Sequence, residues 1–366
     1  MKKLFWERSF DSFATNLISI FIPIYLLKLH YSIHYIFLFY ALTGVFMTIV
    51  YPLGFIAIGK LGANKCIVVG NILNAMFFLL LFKLPHWHES LWIVAIFRGA
   101  YSSFYYPAFT ANFIAARAHT RTGLQIGRLN AITLFLGGAA PAIGGFFATQ
   151  FGLGWIYVAV IVSIVVANIP LLLGSENLKH TSFNLSKIPW RESRDFIANG
   201  LYNVPGFVES VIWPMSISLF VASYSDIGIL TSVLVLSTIA ISLYVGKRED
   251  KVGERPYLNS GVGTNAISNL GKLFTSTPLG VIGINFISGT SDALLANSFT
   301  SRYYKNADTE QMLEYTFGME VTHAIVWILY FGLLTILATW FTLKVMLLLA
   351  IGLAIPSVFG VRMVKT

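Results

Sequence analysis

The feature that most constrains this chain is a succession of uninterrupted apolar runs, many of them about twenty residues long, separated by short polar turns. A helix rises about 1.5 Å per residue, so roughly 20 apolar residues cross the hydrocarbon core of a bilayer. A membrane β-barrel needs shorter segments that alternate apolar and polar residues, and these runs do not alternate. In lipid every backbone polar group must be paired within the segment, so the runs read as helices. Only 11% of the 366 residues are charged and 56% are hydrophobic, whereas soluble domains carry about a quarter charged residues. The expected class is an all-α integral membrane protein.

The apolar pattern places spans near 9–28, 35–58, 66–83, 91–115, 129–150, 153–173, 196–222, 227–246, 257–276, 279–300, 316–340 and 343–361. The ninth is the weakest, because 257–276 is rich in Ser, Asn, Thr and Gly and contains Lys272. An internal repeat supports it. Pro23 precedes Gly62 by 39 residues and Pro214 precedes Gly253 by the same number, an offset of 191 that carries the third span onto the doubtful one. A polar helix is tolerated where it is shielded from lipid or partly unwound. The chain is therefore expected to form twelve transmembrane helices in two pseudo-symmetric six-helix bundles, 1–173 and 196–366, joined by a linker at 174–195.

Twelve spans put both termini on one side. Of 25 basic residues, 20 fall on that side: Lys2, Lys3, Arg8, Lys60, Lys65, Arg117, Arg121, Arg128, Lys179, Lys187, Arg191, Arg194, Lys247, Arg248, Lys251, Arg255, Arg302, Lys305, Arg362 and Lys365. Lys28, Lys83, Lys272 and Lys344 lie at opposite loops or helix ends, and Arg98 lies inside a span. The positive-inside rule then makes both termini cytoplasmic, in a multi-pass plasma (inner) membrane protein. The net charge of +9 is explained by loops facing anionic lipid headgroups, with no nucleic acid required. No small-residue cleavage site follows the first run, so it is expected to be an uncleaved anchor. The single cysteine, Cys66, leaves no internal disulfide framework.

After the eighth span the chain reads Gly246-Lys247-Arg248-Glu249-Asp250-Lys251-Val252-Gly253-Glu254-Arg255. This resembles the loop signature of the major facilitator superfamily, Gly-x-x-x-Asp-Arg/Lys-x-Gly-x-Arg/Lys. The resemblance implies a gating loop that braces one half against the other, carried here by Gly246, Asp250, Lys251, Gly253 and Arg255. The first-half equivalent, Gly59-Lys60-Leu61-Gly62-Ala63-Asn64-Lys65, lacks the acid and two of the bases. Gly54-x4-Gly59-Lys60 nearly spells a phosphate-binding loop, but Leu61 replaces the required Ser/Thr. In the fifth span, Gly137-Gly138-Ala139-Ala140-Pro141-Ala142-Ile143-Gly144-Gly145 is similar to the antiporter signature of the superfamily, with Pro141, Gly144 and Gly145 in place and Ala140 substituting a glycine. The resemblance implies a drug/proton antiporter-like transporter.

Ionisable groups inside spans are costly and mark functional candidates. Asp11, Arg98, Glu209, Asp292, Glu320 and His323 fall on the first, fourth, seventh, tenth and eleventh spans, which in the superfamily line the central cavity. Helical spacing groups Asn199, Tyr202, Gly206, Glu209 and Trp213 on one stripe, and Asn285, Ser288 and Asp292 on another. Glu320, His323, Trp327 and Tyr330 form a third, and Arg98, Tyr101 and Tyr105 a fourth. Asp11 has a plainer reading, as part of a solvated helix start with Glu7 and Arg8, and Arg98 as the counter-ion of a buried acid. Glu320 and His323, one turn apart, are placed to share a proton or a hydrogen bond. Four acids against one obligate base suggest proton coupling, attraction of a cation, or both.

The expected function is proton-coupled export of a small organic, cationic or amphipathic molecule by alternating access. Proton-driven uptake of a metabolite and lipid handling on the same scaffold are the alternatives. The partners expected are a small-molecule substrate, protons and membrane lipids, with a monomer sufficient and no cofactor or metal. No His-Glu-x-x-His or Gly-x-Ser-x-Gly motif is present, so an enzyme is not expected.

Overall fold

Two glycines fix the frame of the repeat. In the computed structural model, which describes residues 2–87, 91–116, 138–173, 178, 182–307 and 310–364, Gly62 closes the helix α3 (Ile33–Leu61) and Gly253 closes α10 (Tyr224–Val252). Both have positive φ, 92° and 90°, a conformation glycine adopts without Cβ strain. Adding 191 to the bounds of α3 gives the bounds of α10.

The other elements follow the same register. The first span is broken into α1 (Lys2–Ile18), a 3₁₀ turn (Ser19–Phe21) and α2 (Ile22–Lys28). The seventh is broken at the equivalent place into α8 (Ser193–Phe207), a π-helical turn (Val208–Ile212) and α9 (Trp213–Ser218). Pro23 and Pro214 open the segments after the breaks; lacking an N–H, each cannot continue the backbone ladder of the preceding turn. The remaining helices are α4 (Ala63–Lys83), α5 (Leu91–Ala116), α6 (Ala140–Phe151), α7 (Leu153–Leu173), α11 (Arg255–Phe274), α12 (Pro278–Asn306), α13 (Met312–Leu337) and α14 (Leu343–Gly360). The described residues contain no strand.

Packing repeats as well. Within the first set of helices α3 packs on α5, α4 on α5 and α7, and α1 on α6 and α7. The counterparts α10–α12, α11–α12, α11–α14, α8–α13 and α8–α14 are all present. Two further pairs cross between the sets, α3–α13 and α6–α10, and they are each other's image under the offset. Eight of the described helical segments are long and apolar enough to cross a membrane. The ones that fall short are instructive: α5 carries Arg98 and several tyrosines, the seventh span is broken, and α11 is polar. Of the predicted fifth span, 129–137 lie outside the described residues, as do Arg117, Arg121, Arg128, Lys179 and Lys365.

Two apolar cores are stacked along the bundle. One gathers Leu4, Val361 and Val364 with Phe55, Phe113 and Phe317, so it marks the end that carries both termini. The other gathers Phe21, Phe37, Phe78, Trp213 and Phe331 at the far end. Between them lies a polar layer of buried side chains, among them Asp11, Asn71, Asn74, Asn168, Asn265 and Ser288. Large side chains such as Leu173, Phe274 and Leu279 are exposed on the outside, a surface suited to lipid rather than water.

Candidate functional site

Among the described residues, hydrogen bonds and ion pairs group the candidate residues into three clusters. The first joins α1, α4, α5 and α7. The first helix begins at Lys2, seven residues earlier than the apolar pattern suggested, so Glu7 and Asp11 are fully helical and 0% and 2% exposed. The solvated helix start is thereby corrected. Arg8 bridges Asp11 Oδ2 and the Tyr105 hydroxyl, each at 3.2 Å. Glu7 accepts from Asn71 Nδ2 at 3.1 Å and from Tyr105 Oη at 3.3 Å, and Asn71 also donates to Asn168 at 2.9 Å. Arg98 lies over the rings of Phe77 and Tyr101, close enough to Asp11 for their charges to interact. Arg8, not Arg98, is the direct counter-ion of Asp11.

The second cluster is built on the broken seventh span. Glu209 sits inside the π-helical turn, where the Trp213 N–H bonds the Val208 carbonyl across five residues. Such turns widen a helix and recur at functional sites. Glu209 Oε1 forms an ion pair with Lys272, which reaches across from α11. The Lys272 side chain is 0% exposed; its ammonium also lies 5.8 Å from the Trp213 ring centre and 3.4 Å from Asn269 Oδ1. Glu209 Oε2 has no hydrogen-bond partner among the described residues. Asp292, partly exposed on α12, is within Coulombic reach of both Glu209 and Lys272. Trp213 Nε1 donates to Asn285 at 2.8 Å, and Asn285 donates to the Leu230 carbonyl at 2.7 Å. Tyr202 stacks on Phe299, with ring centres 4.3 Å apart. The predicted stripe on the seventh span is split by the wide turn. Asn199 donates to the Met319 carbonyl of α13, whereas Tyr202 and Trp213 meet α12 and Glu209 meets α11.

The third cluster lies on the seam between α3 and α13. Tyr51 donates to Glu320 Oε2 at 3.1 Å, and His323 Nδ1 lies 3.9 Å from the same oxygen, within ion-pair range but beyond a hydrogen bond. Trp327 Nε1 donates to the Tyr40 carbonyl at 2.6 Å, and Tyr330 turns away to the Ala350 carbonyl.

Two sequence expectations change. Lys272 counted as a helix-end base, yet it is a buried partner of Glu209; its signal was the stripe Asn265, Ser268, Asn269, Lys272 at helical steps. With Glu7, Arg8 and Lys272 added, the three clusters hold five acids and three obligate bases, not four and one, so the case for strong attraction of cations weakens.

The bracing motif is not a loop along its length. Gly246 to Val252 continue α10 and only Gly253 and Glu254 turn before α11 starts at Arg255. Lys251 is exposed in the last turn, and the Asp250 side chain lies outside the described set. The acid that binds a neighbour is Glu254, which takes Lys305, Arg302 and Ser301 at the terminus end of α12. Burial pushes its carboxyl up, but the hydrogen bond from Lys305, its own backbone N–H and the charges of Lys305 and Arg302 outweigh burial and hold it below the usual glutamate value. In α6 a Cβ on Gly144 would collide with the Leu17 carbonyl of α1. One on Gly145 would collide with the Tyr224 carbonyl of α10, and one on Gly228 with the carbonyl of Pro141. The small residues there hold backbones close together.

A family model of the Major Facilitator Superfamily matches residues 8–307. The chain belongs to that superfamily. Its members are membrane transporters and carry small molecules, and the two cross pairs described above join the two sets of helices in this one. Solved structures agree on the fold. A bacterial homologue of the iron transporter ferroportin, in an outward-facing state, superposes with a TM-score of 0.69 at 16% identity, covering 99% of this chain and 98% of that one. The same homologue with soaked iron gives 0.68 at 14% identity, with the same coverage. The human organic anion transporter MFSD10 (TETRAN) gives 0.72 at 10% identity, covering 98% of each chain. A search among curated proteins returns no match. Among the described residues no group of three His, Cys, Asp or Glu side chains is placed to hold a metal.

Proposed function

We propose that this superfamily member is a secondary active transporter that exports a small organic molecule in exchange for protons by alternating access. In this reading 1–173 and 196–366 are six-helix halves joined by the linker 174–195, with twelve spans in all. Both termini face the cytoplasm at the plasma membrane, and a single chain is the working unit.

The observation that carries the reading is the Glu209–Lys272–Asp292 cluster on a helix interrupted by a π turn. Two carboxylates against one lysine leave a partly exposed acid beside the interrupted seventh span, a group able to load and release a proton as access alternates. The antiporter-like Pro141, Gly144 and Gly145 support exchange rather than symport. An apolar cleft of about 620 Å³ between α1, α6 and α7, lined by Phe13, Leu17, Phe147 and Trp155, suits an amphipathic cargo arriving from lipid.

Proteoliposomes with an imposed pH gradient test the coupling, with tetraphenylphosphonium as probe. Gradient-driven movement that disappears in Glu209→Gln and Asp292→Asn supports the proposal; movement indifferent to the gradient in both directions sinks it.

A further inference from the structure

Lys272 is an unusual expenditure for a membrane helix. Its α11 neighbours Asn265, Ser268 and Asn269 are all buried, and the side chain spends a full charge in a site where it has no access to water. A lone ammonium there would be prohibitive, and it is tolerated because Glu209 lies against it. Glu209 has one oxygen on Lys272 and one unpartnered, and Asp292 sits within reach of both groups.

The charges facing this cluster from the packed elements can be named. On the seventh span it is Glu209, with Tyr202 near Asp292. On α13, Glu320 and His323 face each other and Tyr51. Lys344 on α14 and Asp226 on α10 stand near the starts of their helices at the far end, 344 exposed and 226 close to the Phe220–Pro278 rim. The site's own balance is therefore two carboxylates and one lysine, one positive charge short of neutrality.

We infer that Lys272 is a charge-setting residue, a fixed internal cation that neutralises one carboxylate and leaves the Glu209–Asp292 site room for a single exchangeable positive charge. That charge is one proton or one monovalent organic cation, exchanged one for one. The inference rests on the proposed proton-coupled function for its substrate half, whereas the proton count stands on the side chains alone. It also makes α11, whose buried face carries Asn265, Ser268, Asn269 and Lys272, part of the site rather than a scaffold.

The count is read without any substrate, from pH-titrated infrared difference spectra of the carboxyl C=O stretch in full-length purified protein. Taking Asp292→Asn as the reference with no site proton, the wild type is expected to show one titrating carboxyl. Glu209→Gln is expected to show none, because Lys272 then neutralises Asp292. Lys272→Met is expected to show two. The double variant Lys272→Met with Glu209→Gln removes a cation and an anion together, buries no unpaired charge, and is expected to return to one. A purely structural lysine would leave all of these counts at the wild-type value, and a single band in Lys272→Met overturns the assignment, as does a double variant that fails to return to one.

Transport then separates this inference from the function beneath it. Tetraphenylphosphonium, a monovalent cation, and methyl viologen, a divalent one, are compared in proteoliposomes. Wild type is expected to favour the monovalent probe and Lys272→Met the divalent one by at least tenfold in relative rate. If the infrared counts hold but no pH gradient drives either probe, the proposed export function fails and the charge-setting role survives. If gradient-driven transport is present but the preference is the same in both proteins, the charge-setting role fails alone.

Discussion

At the residue scale the sharpest consequences attach to charged groups held by neighbours. Glu254 joins the α10–α11 turn to α12, and its folded-state carboxyl is held below the ordinary value. A carboxyl depressed on folding stabilises the protein above its unfolded pKa, and that contribution is lost as pH falls through the folded value. The loss therefore appears only in the acid range, below about pH 4.5, the reference for a free glutamate. Because Lys305 is half exposed, the contribution is screened and amounts to less than about 1 kcal/mol. Glu254→Gln is expected to lower the melting temperature slightly at pH 7, where the whole contribution is present, and to converge on the wild type between pH 5 and pH 3, flattening the acid limb; a difference from wild type that does not shrink in acid refutes the bridge. Gly253 carries a different constraint. With φ at 90°, Gly253→Ala forces an L side chain into the left-handed region at a cost of about 1–2 kcal/mol, read as a lower midpoint in thermal unfolding.

At the element scale, the register of helices was legible in the sequence and the site only partly so. Pro23, Gly62, Pro214 and Gly253 declare the repeat because their backbone demands are local: a missing N–H and a positive φ. The same offset recovered α11, which hydropathy alone omits. Glu209 and Trp213 were visible as costly or aromatic side chains on one stripe of the seventh span, and Asp292 on a stripe of the tenth. The pairing of Glu209 with Lys272 was not, since it depends on which face α11 turns toward the seventh span, and a π turn shifts that phase. Glu7 and Arg8 were missed for the opposite reason: a helix that begins at Lys2 buries charges that a hydropathy window assigns to water. The close helix approaches give a direct test. Gly228→Ala places a methyl against the Pro141 carbonyl and is expected to cost about 1–3 kcal/mol. The segment before α8 gives another. Phe183 fits between Phe55 of α3 and Phe317 of α13, at 5.3 and 5.2 Å between ring centres, while the Asn184 N–H donates to Glu314 at 2.9 Å. Phe183→Ala is expected to lower stability by about 1–2 kcal/mol, with a parallel rise in protease cleavage near Leu185.

At the scale of the molecule, two seams join the two sets of helices, α3–α13 and α6–α10. The α3–α13 seam runs the length of the bundle, from the His34–Thr335 contact at 3.0 Å through Tyr51–Glu320 to the Phe55–Phe317 pair, 5.3 Å between ring centres, at the terminus end. In the described residues the α6–α10 seam is pinned toward the far end, where the Ser225 N–H donates to Thr149 Oγ1 at 3.1 Å. If the chain works by the proposed proton-coupled alternating access, these ends must part in turn, because an opening at both would dissipate the gradient. Cysteine pairs report on this cleanly, since Cys66 is the only native thiol and is buried. In a Cys66→Ser background, Thr149→Cys with Ser225→Cys closes the far end, and Phe55→Cys with Phe317→Cys closes the terminus end. Each cross-link is expected to abolish transport and each to release it on reduction, because a rocking bundle needs both ends free. Their yields are expected to move in opposite directions when the gradient is reversed, as one end opens while the other shuts. Transport that continues with both pairs closed would mean that the substrate does not pass between the halves.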